Sequence, residues 1–336
     1  MSDAQSSPQA PPVLAVDGLK THITLNRGTV RAVDGVSFHV NERETLGLVG
    51  ESGSGKSMTS LSILRLIPKP GAQTIAGTVK LDGVDVLELD EETMVRDYRG
   101  RKISMISQDP MTSLNPVFSI GDQVGAPVRY HHLASGTRAI REAAVRVLDR
   151  VRIPSPERRL DDYPHQYSGG MRQRVVTAMA IACQPRLMIC DEPTSNLDVT
   201  IQVQIIKLLR EIQAETNVGL IFITHDMGVA ANICDRIAVM YGGRIVEIGD
   251  VRTIFAEPKH PYTQGLLESI PHLGRKRQRL YSIKGNPPDM LNPPAGCRFA
   301  PRCPHATAKC EAEYPPETHF PDGSRAACWL LGEGSA

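Results

Sequence analysis

The sequence predicts an α/β fold, with short buried strands alternating with helices around a mostly parallel sheet. Three observations predict it. Short apolar runs recur through the first 250 residues, with helical patterns between them. One run, Thr45-Leu46-Gly47-Leu48-Val49, leads into Gly50-Glu51-Ser52-Gly53-Ser54-Gly55-Lys56-Ser57, the G-x-x-x-x-G-K-[ST] pattern of a loop that wraps a nucleotide's phosphates. Another, Leu187-Met188-Ile189-Cys190, ends on the acidic pair Asp191-Glu192.

Taken in order, residues 13–49 read as β-rich, with strand-like stretches at Leu14-Ala15-Val16 and around Val33 to Val40, then a turn from Val40 to Arg43. Ser57 to Leu66 reads as a helix whose N-terminus aims a positive dipole end at the phosphates. Lys102 to Ser107 is a strand running into Gln108-Asp109-Pro110. Arg138 to Val151 is helical, with Ile140, Ala144, Val147, Leu148 and Val151 on one face. Further helices are expected over Met171 to Ile181 and Ile201 to Gln213, and a strand over Leu220 to Ile223. Ile237 to Met240 and Ile245 to Ile248 flank Tyr241-Gly242-Gly243-Arg244 as a hairpin. After Asp250 the texture changes. His260-Pro261-Tyr262 and Leu266 to Ile270 form a short helical extension, and residues 286–304 are proline-dense and irregular. The run Arg275-Lys276-Arg277-Gln278-Arg279 is read as a solvated connector, the alternative being contact with lipid headgroups or RNA.

Composition narrows the function. Net charge is +1 over 336 residues and aromatic residues make up 4%, which disfavours a basic nucleic-acid binder or a stacking platform for single strands. No apolar stretch approaches the ~20 residues that cross a bilayer. Residues 1–12 are polar and lack the apolar core of a secretory signal, so a disordered lead-in and a cytosolic chain are expected, meeting any membrane through a partner.

The loop's chemistry follows from its residue types. Glycines let backbone N–H groups turn onto phosphates, Lys56 supplies a point charge for the β and γ phosphates, and the Ser57 hydroxyl is placed to ligate Mg²⁺. Asp191, at a strand end, suits holding Mg²⁺ through water, and Glu192 suits accepting a proton from an attacking water. Ser168-Gly169-Gly170, just ahead of a helix, makes an anion site from backbone donors. His225 follows the last apolar strand.

The ordered set of phosphate loop, Gln108, Ser168-Gly169-Gly170, Asp191-Glu192 and His225 resembles the nucleotide-binding subunits of ABC transporters over roughly residues 13 to 250. The resemblance implies a mixed sheet core with a β-subdomain and a helical subdomain carrying the signature, on a P-loop NTPase plan. It implies ATP and Mg²⁺ as ligands, with residues Gly50 to Met58 (Gly50, Glu51, Ser52, Gly53, Ser54, Gly55, Lys56, Ser57 and Met58) wrapping the nucleotide. Gln108 resembles the Q-loop glutamine that senses Mg²⁺, and Ser168, Gly169 and Gly170 the signature motif. Asp191 resembles the Walker B aspartate, Glu192 the catalytic glutamate, Ser195-Asn196-Leu197-Asp198 the D-loop and His225 the switch histidine. Gln108 to Pro116, Ser168 to Arg174 and His260-Pro261-Tyr262 resemble the ATPases of dipeptide and oligopeptide permeases, and Gly50 to Met58 with the cysteine-rich tail is more similar to their "D" type than to the "F" type. Two departures stand out. No Phe, Trp or Tyr precedes Phe38 to stack on adenine, which leaves Arg27 as the candidate and implies loose base selectivity. Asn196 also replaces the D-loop's usual small apolar residue.

Seven cysteines are unevenly placed. Cys183, Cys190 and Cys234 sit in apolar contexts and are expected as buried thiols. Cys297, Cys303, Cys310 and Cys328 form C-x5-C-x6-C-x17-C in a small C-terminal extension, residues 251–336, expected to need a metal staple. The spacing does not choose between zinc and an iron–sulfur cluster. The permease resemblance implies a [4Fe–4S] cluster.

The same resemblance implies a head-to-tail dimer with a paralogous ATPase subunit, two membrane-spanning permease subunits and, indirectly, an external peptide-binding protein. It places the chain on the cytoplasmic face of the inner membrane, with no nucleic-acid partner. The rival is a soluble ABC-type ATPase acting on DNA or ribosomes. Such chains usually insert a long coiled coil or duplicate the cassette, and neither feature occurs here.

Overall fold

The computed structural model describes residues 11–195, 197–270 and 282–332. Most of the expected lead-in, the basic run Arg275 to Arg279 and Asn196 lie outside the described residues.

The chain opens with two long strands, β1 (Leu14–Leu25) and β2 (Gly28–Val40), paired antiparallel. β3 (Thr45–Val49) is buried at every position and feeds the phosphate loop and α1 (Lys56–Ile63). β4 (Ala72–Leu81) and β5 (Val84–Asp85) complete a four-stranded antiparallel sheet in the order β2-β1-β4-β5. α2 (Glu91–Thr93) and a π-helical turn lead to β6 (Ile103–Ile106). A helical region follows, made of α3 (Pro110–Ser113), α4 (Ile120–Tyr130), α5 (Thr137–Arg150), α6 (Pro156–Arg159) and α7 (Gly169–Ile181). The chain then alternates through β7 (Leu187–Asp191), α8 (Val199–Thr216), β8 (Gly219–Thr224), α9 (Met227–Ile233) and β9 (Arg236–Tyr241). It closes with β10 (Arg244–Asp250), α10 (Val251–Ala256), α11 (Pro261–Glu268), α12 (Ala308–Ala312), β11 (Glu317–His319) and β12 (Arg325–Ala327).

The main sheet runs β11-β12-β10-β9-β3-β8-β7-β6, parallel from β9 to β6 and antiparallel at the β10 end. Its central strands are apolar except at their ends because both faces are covered. Residues alternate between faces with period two. Met188, Cys190, Leu220, Phe222 and Val49 pack on the helical side, whereas Leu46, Leu48, Leu187, Ile189, Ile221 and Ile223 pack against β1, β2 and β4. The expected helices and central strands form within a few residues at their ends, whereas β1 runs nine residues past the expected Leu14-Ala15-Val16 and β2 begins five residues before Val33. Cys183, Cys190 and Cys234 are buried thiols.

One element runs against local propensity. α4 contains Gly121, Gly125 and an internal Pro127, all poor helix formers. Burial of Ile120, Val124 and Val128 outweighs that. The glycines are required, since a Cβ at Gly121 would stand 2.9 Å from the Leu160 carbonyl and one at Gly125 2.7 Å from Ile140.

The expectation of a distinct Cys-rich extension is corrected by the sheet. β12 pairs with β10 through Glu247↔Ala326 and Ile248↔Arg325, and β11 pairs with β12. Phe299 belongs to the same buried cluster as Phe222 and Tyr241. Residues after 250 therefore continue the main sheet and core.

Candidate functional site

The phosphate loop is shaped by close backbone approach. A Cβ at Gly50 would lie 2.2 Å from the Met240 carbonyl oxygen, and one at Gly55 2.4 Å from that of Ala32. Gly53 and Gly55 have φ of 78° and 106°, a region open to glycine. The hairpin turn between β9 and β10 lies beneath, with Gly243 N–H donating to the Ser54 carbonyl at 2.8 Å. Ser52 and Gly53 are exposed, Ser54 is buried and Met58 half-buried.

Lys56 opens α1 with its ammonium folded into the loop, donating to the carbonyls of Gly50 (2.7 Å) and Glu51 (2.9 Å). Burial pulls its pKa down, and the carboxylates of Glu192, Asp191 and Glu51 oppose that. Ser57 Oγ donates to Asp191 Oδ1 at 3.1 Å. Burial pushes Asp191 above the usual carboxylate range, Glu192 adds to this, and the Ser57 bond and Lys56 counter it. A divalent cation here would meet a hydroxyl and a carboxylate already side by side and would relieve the buried acid, so the donors fit Mg²⁺.

Glu192 follows β7 with φ 45°, a left-handed conformation that is strained for a side-chain-bearing residue. Its N–H donates to the Ile223 carbonyl at 3.0 Å, which holds the turn. Gln108 Nε2 donates to Glu192 Oε2 at 3.1 Å, and His225 Nδ1 lies 3.1 Å from Oε1. An ionised carboxylate only accepts, so the imidazole donates. Gln108, Lys56, Ser57, Asp191, Glu192 and His225 thus converge beside the loop.

Ser168-Gly169-Gly170 lies apart. Ser168 caps α7, its Oγ accepting from Met171 N–H at 3.4 Å, and is exposed. A Cβ at Gly170 would meet Ile201 at 2.8 Å, and the nearest atom to Gly169's would be on Leu197. Asp198 caps α8, accepting from Ile201 N–H at 3.0 Å, and is exposed. The signature and the D-loop end therefore share one surface. Arg27 is exposed in the turn between β1 and β2.

The expected metal staple is overturned. Among the described residues no group of three or more His, Cys, Asp or Glu side chains could hold a metal ion, so neither the [4Fe–4S] cluster nor zinc is found at Cys297, Cys303, Cys310 and Cys328. The premise of a segment unable to hold its own shape fails for a physical reason. Cys297 N–H donates to the Cys310 carbonyl at 2.7 Å, β11 and β12 are paired into the main sheet, and Phe299 is buried. Burial raises the thiol pKa at Cys297, Cys303 and, to about 11, Cys328, which favours the protonated form. Cys303 Sγ accepts from His305 N–H at 3.4 Å, and Cys310 Sγ lies 3.3 Å from Thr307 Oγ1.

Two residues at the loop escaped the sequence reading. Tyr262 Oη accepts the Glu51 N–H at 2.9 Å, and Arg302 pairs with the Glu51 carboxylate at 2.6 Å and 3.0 Å. Tyr262 stood out only as part of a family fingerprint, and Arg302 lay among the cysteines that drew notice. No local spacing links either to position 51.

Residues 33–195 match the ABC transporter family, and residues 246–310 match the oligopeptide/dipeptide transporter C-terminal region. The chain is 49% identical to a probable peptide ABC transporter ATP-binding protein of Sinorhizobium fredii, over 98% of each chain. It is also 49% identical to the dipeptide transport ATP-binding protein DppD of Bacillus subtilis, over 95% of this chain and 94% of that one. Among solved structures it resembles the dimeric ATP-binding cassette MJ0796 in a post-hydrolysis state bound to ADP and Pi. The TM-score is 0.63 at 25% identity, covering 71% of this chain and 99% of that one. Together with the converged site, these likenesses show that the chain belongs to the ATP-binding subunits of the peptide (dipeptide and oligopeptide) ABC transporter family.

Proposed function

We infer that this chain is the ATP-hydrolysing subunit of an ABC importer for di- or oligopeptides. The observation that carries the reading is the convergence on Glu192, a carboxylate beside the phosphate loop that Gln108 and His225 each contact at 3.1 Å. In that position Glu192 accepts the proton of the attacking water, and His225 contacts the γ phosphate. Lys56 exchanges its carbonyl partners for phosphate oxygens. Mg²⁺ held by Ser57 and Asp191, with Gln108 alongside, would neutralise charge on the phosphates.

The proposed working unit is a head-to-tail dimer with a paralogous subunit. ATP lies between Gly50 to Ser57 of one protomer and Ser168 to Gly170 of the other, with Asp198 near the crossing. Two things support this reading. The signature motif is exposed and packed on the D-loop side, and the similar cassette MJ0796 is described as dimeric. Two membrane-spanning permease subunits and an external peptide-binding protein complete the proposed assembly, with this chain peripheral on the cytoplasmic face. No helix among the described residues is long and apolar enough to cross a membrane. Residues 13–250 act as the nucleotide-binding domain. Residues 251–336 act as a permease-type extension in function, a division supported by the two separate family matches.

Glu192→Gln tests the reading in the chain assembled with its partner subunit. The variant is expected to bind MgATP like the wild type and to lose hydrolysis by about 10²–10⁴-fold. Wild-type turnover in it would remove Glu192 from the role.

A further inference from the structure

We propose that Arg302 is a positioning residue for nucleotide binding: it holds the Glu51 carboxylate away from the space the phosphates occupy and fixes the first turn of the phosphate loop from the C-terminal segment. The proposal rests on the reading of Gly50 to Ser57 as a nucleotide site.

Glu51 presents a problem that the loop cannot solve alone. The second residue of a loop that must take a polyanion is itself an acid, and like charges at such range repel. It would also compete with phosphate for Lys56, since the Glu51 carboxylate is among those acting on that ammonium. Arg302 answers both. Its Nη1 donates to Oε2 at 2.6 Å and its Nη2 to Oε1 at 3.0 Å, a two-pronged pairing suited to guanidinium and carboxylate.

Arg302 is itself fixed. Its side chain is 5% exposed. Nη1 also donates to Tyr241 Oη at 3.2 Å, and Nε donates to the Lys284 carbonyl at 3.1 Å. The backbone of Glu51 is held from the same segment, through Tyr262 Oη. Tyr262 is fully buried against Tyr241 and Phe299, at centroid distances of 4.6 Å and 5.4 Å. Both the carboxylate and the N–H of one loop residue are therefore held by side chains more than 200 positions away in sequence.

A purely structural tie and a charge-positioning role predict different double-mutant results. MgATP affinity of the full chain is measured by titration calorimetry at low and high salt for the wild type and four variants. Arg302→Ala frees the Glu51 carboxylate and weakens binding about tenfold, with Arg302→Lys falling between. Glu51→Gln in the Arg302→Ala background removes the freed charge and recovers binding to within about threefold of wild type. Glu51→Gln alone, with Arg302 intact, tightens binding about threefold at low salt and less at high salt. Wild-type affinity in Arg302→Ala, or a double variant as weak as Arg302→Ala, overturns the proposal. If Arg302→Ala fails to fold, the Glu51→Gln variant decides, since weaker binding there overturns it too. Failure of the wild-type chain to bind MgATP would overturn the functional reading itself, a separate outcome.

Discussion

The nucleotide-facing cluster and the C-terminal segment both hold charged groups still, by opposite means. In the cluster, the bonds are exchangeable. Lys56 rests on two carbonyls that a phosphate can replace, and Glu192 is shared by Gln108 and the 61% exposed His225. In the C-terminal segment, the charges are sealed. Arg298 is buried between the Asp34 carboxylate and the Gly242 carbonyl, and Arg302 is clamped on Glu51 among aromatic rings. Lys56, although buried, is held by uncharged carbonyls, and Glu192 by an amide and an exposed imidazole, all partners that a nucleotide can displace. Groups that hold the scaffold are buried and multiply bonded. Substitutions should therefore separate the two regions, with the cluster losing chemistry and the segment losing stability or, through Arg302, nucleotide affinity.

The largest effect is expected from Phe299→Ala. Phe299 is 2% exposed and meets Tyr241, Tyr262 and His260. Emptying that space is expected to cost about 3–5 kcal/mol of folding stability, read from urea denaturation. A small shift would mean that the segment is held by its strands alone. Next comes His225→Ala, which is expected to lower hydrolysis about 10²–10³-fold in the assembled ATPase. Its melting temperature should stay near wild type, because the side chain is mostly exposed. Marked unfolding in that variant would break the contrast between the regions.

Much of the cluster was legible because each part is spelled locally. The Gly50 to Ser57 loop follows its own strand, Glu192 follows β7 and His225 follows β8, so chain order carried the geometry. The segment was not legible for the opposite reason. Its strands are three residues each and take their register from β10. Arg302 and Tyr262 find Glu51 only through the tertiary fold. α4 was missed because two glycines and a proline hid a helix that close packing against Leu160 and Ile140 requires. The four tail cysteines misled because thiols without an apolar context invite a metal, whereas the sheet and Phe299 supply the order.

The smallest expected effect is a pH slope, and it tests whether the segment is sealed. His260 is 1% exposed, with Nδ1 accepting the Tyr262 N–H at 3.0 Å and its backbone N–H donating to Glu247 Oε2 at 2.9 Å. Burial lowers its pKa from 6.5 to about 3, so the folded chain keeps it neutral. Below pH 6.5 the unfolded chain takes up a proton that the folded chain refuses. The contribution is therefore fully present above pH 6.5 and is lost as pH falls toward 3, at up to ~1.4 kcal/mol per pH unit. Glu247, raised by burial, contributes with the opposite sign, since its protonated form is the one favoured in the fold. Comparison with His260→Asn cancels that term, and the Asn carbonyl can still accept the Tyr262 N–H. Urea midpoints between pH 7 and pH 4 should fall more gently in His260→Asn than in wild type, whatever the variant loses at neutral pH. Parallel slopes would mean that water reaches the imidazole, and the contrast between an exchangeable cluster and a sealed segment would not hold at this residue.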